Sequence, residues 1–178
     1  MKATTAAQRT TVTSLTPPST PRLRMEATGA RRTLLDGAWW PRSTDPVAEL
    51  PGLVLALDKV HGPVTRLVLD ATGWDPHPRR LGIAGRVLRL GYFTSQPANL
   101  LTAICGNDRI DLLVVPADTA SGTADAAMIL AATTTNLVHA QHILLAVSPP
   151  ATGQIAGAVE DAWEAEDSRI RLIPSEAR

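Results

Sequence analysis

The residues best suited to chemistry fall in two short segments. In Asp36-Gly37-Ala38-Trp39-Trp40-Pro41-Arg42-Ser43, two of the six aromatic residues of the chain are adjacent and are flanked by a carboxylate and a guanidinium. An exposed indole offers a flat apolar platform, Arg42 a planar fork of donors for an anion, and Asp36 an acceptor or a general base. Successive side chains of an extended segment leave on opposite faces, so Trp39 and Trp40 are both buried only where the chain is covered on both sides. The second segment holds Trp74, Asp75, His77, Arg79 and Arg80, in a stretch that Pro76 and Pro78 keep out of regular structure. Placed side by side, the two segments would line one pocket with Asp36, Trp39, Trp40, Arg42, Trp74, Asp75 and Arg80, suited to an anionic or planar ligand. The competing reading is structural: the indoles lie in the core, Asp36 and Arg42 fix a turn, and Trp74 packs over a sheet edge.

Other chemistries lack their residues. His139 and His142 share a helical face but supply only half of a tetrahedral zinc shell, so no metal and no cofactor is expected. Cys105 is the one cysteine, which rules out an internal disulfide and reads as a small packed thiol in a reducing cytoplasm. Ser43, Ser95 and Ser121 have no G-x-S-x-G context, and Gly82-Ile83-Ala84-Gly85 reads as a strand turn, not a phosphate loop. Arg79, Arg80, Arg86 and Arg89 have the charge to meet phosphate, but Lys plus Arg and Asp plus Glu both total 17 and no aromatic residues interleave the arginines. A nucleic-acid partner is therefore not expected. The 44% hydrophobic and 19% charged content is that of a globular domain, and no run of about eighteen apolar residues predicts a membrane span. The opening MKATTAAQRTTVTSLTPPSTP has no apolar stretch behind its cations, so no secretory signal is read there.

The elements that must position these groups follow from periodicity. Residues 1–20 are Thr, Ser, Ala and Pro with little to bury, which predicts a disordered tail. Alternation around Leu23 and Met25 predicts a strand, followed by an extended segment to Trp40 with a turn or bulge at Asp36-Gly37. Asp45-Pro46 predicts a helix start, and Leu50, Leu53, Val54, Leu57 and Val60 form its apolar stripe, with Pro51 disturbing the first turns. Val64 to Asp70 reads as a strand, and hairpins are predicted around Ala84-Gly85 and Gly106-Asn107-Asp108. The near-continuous LLVV after Asp111 marks a central strand covered on both sides. Helices follow from Ser121 or Thr123 and from about Leu137 to Val147. Residues 21–148 thus form one α+β domain, an antiparallel sheet of about five to six strands with helices packed on one face. Residues 149–178 form an acidic, partly helical extension: from residue 119 onward the chain has three cations against seven anions.

The segments LLDGAWWPRS, AELPGLVLALD, VTRLVLDATGWDPHPRRL, GRVLRLGYFTSQ and DLLVVP resemble an uncharacterised actinobacterial family of unknown function, over about Pro21 to Ala132. The resemblance implies a small cytoplasmic α+β domain and no activity, since that family has no assigned substrate, cofactor or catalytic residue. The residues themselves favour a non-enzymatic ligand-binding or protein-interaction module that uses the Trp/Arg/Asp cluster on a small molecule or a protein. The alternative is a metal-independent enzyme on a small anionic substrate, with Asp36 or Asp75 as base and Arg42 or Arg80 holding the anion.

Overall fold

Strand pairing joins eight strands into one sheet, in the order β1-β5-β6-β4-β7-β8-β3-β2. The computed structural model describes residues 10–28 and 33–149. The start of the expected tail, the turn at Gly29 and the acidic extension from Pro150 onward lie outside these described residues. The strands are β1 (Val12–Thr13), β2 (Arg22–Met25), β3 (Gly37–Trp40), β4 (Val64–Asp70), β5 (Arg80–Ile83), β6 (Arg86–Phe93), β7 (Leu100–Cys105) and β8 (Asp108–Val114). Helix α1 (Pro46–His61) joins β3 to β4, and α2 (Ser121–Ala131) and α3 (Ala140–Val147) follow β8.

The expected antiparallel sheet of five to six strands is corrected here: the sheet has eight strands and is mixed. The pairs β1–β5, β4–β6 and β3–β8 are parallel, and the remaining neighbours are antiparallel. Both predicted hairpins form, but they insert into the sheet instead of extending it. The β7–β8 hairpin enters between β4 and β3, which sets β8 parallel to β3. The chain after β4 travels out to β5 and returns as β6, which lies parallel to β4. A hairpin's own pairing is local, whereas the strand it docks against is chosen by contacts distant in sequence.

The helices also differ from the one-face expectation. Leu50, Leu53, Val54 and Leu57 of α1 pack with Trp39, Leu67, Leu81, Leu88, Leu101 and Leu112. Ala124, Ala127, Met128 and Ile143 of α2 and α3 pack with Ala38, Leu113 and Val115. Ala38 and Trp39 are neighbours in one strand, as are Leu112 and Leu113, so the two clusters lie on opposite faces of the sheet. Each buried leucine of these layers contributes about 1.5–3 kcal/mol.

Helix α1 begins as its sequence dictates. The Asp45 side chain accepts from the Val47 N–H at 2.8 Å and Pro46 occupies the first turn, after which the helix runs unbroken through Pro51. Gly52 admits the chain that precedes β2: a β-carbon there would lie 2.0 Å from the Ser19 carbonyl oxygen. Strand β1, upstream of this segment, pairs with β5 through Val12 opposite Leu81 and Thr13 opposite Gly82. Among the described residues no helix is long and apolar enough to cross a membrane.

Candidate functional site

Strands β3, β4 and β8 point the same way, and the connections leaving β3 and β8 part company. After β3 the chain passes to α1 on one face, and after β8 it passes to α2 on the other. Where neighbouring parallel strands send their helices to opposite faces, a crevice opens beyond their carboxyl ends. A cleft of about 430 Å³ lies at that point, within the range of small-molecule sites. It is lined by Pro41, Ser43 and Thr44 after β3, Asp70 at the end of β4 with Thr72 and Trp74 beyond it, Asn99 and Leu100 at the start of β7, and Val114 at the end of β8 with Pro116 and Asp118 beyond it.

Each wall is fixed by hydrogen bonds. Buried Glu49, in the first turn of α1, accepts from the Arg42 N–H at 3.1 Å and from the Ser43 hydroxyl at 3.0 Å. The Asp75 N–H donates to the Thr44 carbonyl at 3.1 Å and ties the post-β3 loop to the post-β4 loop. The Val115 N–H donates to the Trp39 carbonyl at 2.9 Å, and the Val114 N–H to the Asn99 carbonyl at 2.7 Å, which carry the pairing to the rim. The Thr72 hydroxyl donates to Asp70 Oδ2. Trp74 is backed by Trp39, with ring centroids 5.6 Å apart and planes 11° from parallel. Asp70 and Asp118 are the ionisable groups of the lining, and no Lys, Arg or His joins them. Such a cavity favours a ligand that donates hydrogen bonds or carries positive charge, with its apolar part against Trp74, Leu100 and the prolines.

The residues singled out in the sequence are distributed as follows. Trp39 and Trp74 stack with each other in the core, 1% and 6% exposed, and Trp74 also forms cleft wall. Trp40 is partly buried beneath Arg22, whose guanidinium lies 3.6 Å from its ring centroid while Nε donates to the Trp40 carbonyl at 2.9 Å. Arg42 is exposed and donates to the Thr20 carbonyl at 3.0 Å. Asp75 is exposed beside the cleft loops, and His77 Nε2 lies 2.9 Å from the Ala71 carbonyl oxygen. Arg80 begins β5, two strands beyond β4, and Asp36 stands at the opposite end of β3 from the cleft. The structure thus brings the two loops together and joins Trp39 to Trp74, while Asp36 and Arg80 stand apart from them. The cleft residues that sequence reasoning missed are Asp70, Thr72, Asn99 and Asp118. The available signal was a carboxylate closing a strand at Asp70, and it gains meaning only once β4 and β8 are known to run the same way.

Asp36 has a structural post. Its Oδ2 accepts from the Asp111 N–H at 2.7 Å, and its own N–H donates to the Asp111 carbonyl at 2.8 Å, clipping the entry of β3 to β8. Burial raises its pKa above the ordinary 3.8, with the Asp111 amide acting in the opposite direction. The folded state therefore holds this proton more tightly than the unfolded chain, so the stability due to Asp36 falls as pH rises from the unfolded pKa through the folded one. Asp36→Asn keeps an acceptor for the amide and removes the charge. It should be at least as stable as the parent at pH 7, with the advantage vanishing below the unfolded pKa. Asp36→Ala should lose about 1–3 kcal/mol. Urea unfolding of both variants at pH 7 and pH 3 checks this, and equal destabilisation by Asn and Ala at pH 7 would contradict it.

Fold and cleft together define an α+β domain with a mixed sheet and a crevice at the carboxyl ends of its parallel strands. Residues 22–131 match the model described as Family of unknown function (DUF5994), and the chain belongs to that family. No curated protein and no solved structure matches it.

Proposed function

We propose that the protein is a ligand-binding module whose cleft takes a small molecule bearing a protonated amine or another strong hydrogen-bond donor. The donor group would sit against Asp70 and Asp118, with the apolar remainder on Trp74 and Leu100. One observation carries this reading: at a topological switch point, the cleft gathers two carboxylates and no cation on a lining whose other residues are apolar or uncharged. A cytoplasmic location belongs to the same reading, supported by the buried free thiol of Cys105.

The test is a thermal-shift and tryptophan-fluorescence titration of the full chain with a panel of mono- and diamines and with carboxylic acids of matching skeleton. Amines should raise the melting temperature, since ligand at 100 times its Kd adds about 2.7 kcal/mol to the folded state. Asp70→Asn keeps an acceptor for the Thr72 hydroxyl and should abolish that shift without loss of fold. A panel in which the acids bind and the amines do not, or an Asp70→Asn protein that responds like the parent, would overturn the proposal.

A further inference from the structure

Among the described residues, half of one sheet face has no layer over it. On the side where α2 and α3 cover β3 and β8, the strands β4, β6 and β5, which lie beyond β7, turn outward the residues that alternate with the α1-facing core. The pairing register sets Arg80 opposite Arg89 and Arg89 opposite Arg66. Three guanidinium groups therefore stand in one lateral row, spanning about 10 Å at the usual strand spacing. The ion pairs among the described residues are Arg86 with Asp58 and Arg109 with Asp111, so the three row arginines have no acidic partner there. Like charges directly opposed across strands destabilise a sheet, and a counter-charged layer reverses that effect.

The row has apolar flanks. Val87 is 47% and Phe93 50% exposed. Phe93 folds its ring over Gly91, where a β-carbon would lie 2.7 Å from a ring carbon, so the surface beside the row stays low. We propose that this face docks an acidic amphipathic helix of a partner protein, laid across β5, β6 and β4. Carboxylates at i, i+4 and i+7 of a helix lie on one stripe and span about 10 Å along its axis, matching the arginine row. Aliphatic side chains beside them would meet Val87 and Phe93. Such a helix continues the layer that α2 and α3 already build over the other half of the same face. Single-stranded nucleic acid fits less well, because base stacking on successive aromatic rings needs more than the one ring offered, Phe93. The inference does not depend on the cleft reading.

The experiment titrates the full chain against a fluorescein-labelled synthetic helix of about twenty residues, with Glu at i, i+4 and i+7 and Leu at i+3 and i+8. A copy with Lys in place of each Glu and a labelled oligo(dT) serve as competing occupants. The Glu helix should bind, more weakly as salt rises, and the Lys helix should not. Arg89→Thr should reduce Glu-helix binding at least tenfold while leaving the variant's own urea midpoint unchanged or higher, a combination that a purely structural arginine would not give. Absence of Glu-helix binding, equal binding of the Lys helix, tighter binding of oligo(dT), or indifference to Arg89→Thr would each overturn the proposal.

Discussion

Replacing Trp39 by alanine is expected to remove about 3–5 kcal/mol of folding stability, read as a lower urea midpoint with an unchanged slope. Trp39, one of the two tryptophans of β3, is 1% exposed and sits between the α1 layer and the loop that carries Trp74. Its removal opens a cavity bounded by Leu112 and the α1 leucines, and it strips Trp74 of the ring stacked on it at 5.6 Å. A stacked aromatic pair adds about 0.5–1.5 kcal/mol beyond buried area, so Trp39→Phe, which keeps an aromatic plane there, should lose less than alanine. Trp74 is also a wall of the cleft, so the alanine variant should bind the amine ligands more weakly although Trp39 does not line the cavity. A loss below about 1 kcal/mol would mean that the core collapses into the space, and the support assigned to Trp39 would be wrong.

The same residue shows where sequence reading ends. Adjacent tryptophans stand out in any sequence, and in an extended segment their rings leave on opposite faces, so both are buried only where the chain is covered on both sides. What local pattern cannot say is what covers it. Trp40 lies beneath Arg22 through the β2–β3 pairing, and Trp39 meets the α1 layer in a strand placed beside β8, a pairing that joins residues more than seventy positions apart. Features set by near neighbours were legible. The Asp45-Pro46 helix start, the limits of β4 and the tight turns at Ala84-Gly85 and Gly106, where φ is positive, all follow from local chemistry. The LLVV run was legible as well, with Leu112 and Leu113 falling in different cores. Parallel pairing was not legible, since two separated hairpins and a helix between strands are compatible with several insertions. The cleft inherits that limit. Asp70 and Asp118 look like ordinary strand-end and loop acids until β4 and β8 are aligned.

The second large effect lies at the hinge between fold and cleft. Glu49→Ala is expected to lower stability by about 3 kcal/mol, because a buried carboxylate loses two hydrogen bonds worth roughly 1.5–3 kcal/mol each, and water restores part of the loss to the freed donors. The donors are the Arg42 N–H and the Ser43 hydroxyl, which hold the post-β3 loop against the first turn of α1. A carboxylate at that turn is also favoured by the helix dipole, whereas the helix propensity gained with alanine is only a few tenths of a kcal/mol. Because the same loop forms one wall of the cleft, Glu49→Ala should weaken amine binding without removing a lining residue. Glu49→Gln retains one acceptor and should fall about midway. Asp45→Ala supplies the contrast: it removes the α1 cap, at about 1 kcal/mol, but leaves Arg42 and Ser43 bound to Glu49, so affinity for the amines should be nearly unchanged. If Glu49→Ala and Asp45→Ala affect binding alike, the loop is held by the helix as a whole and Glu49 has no separate positioning role.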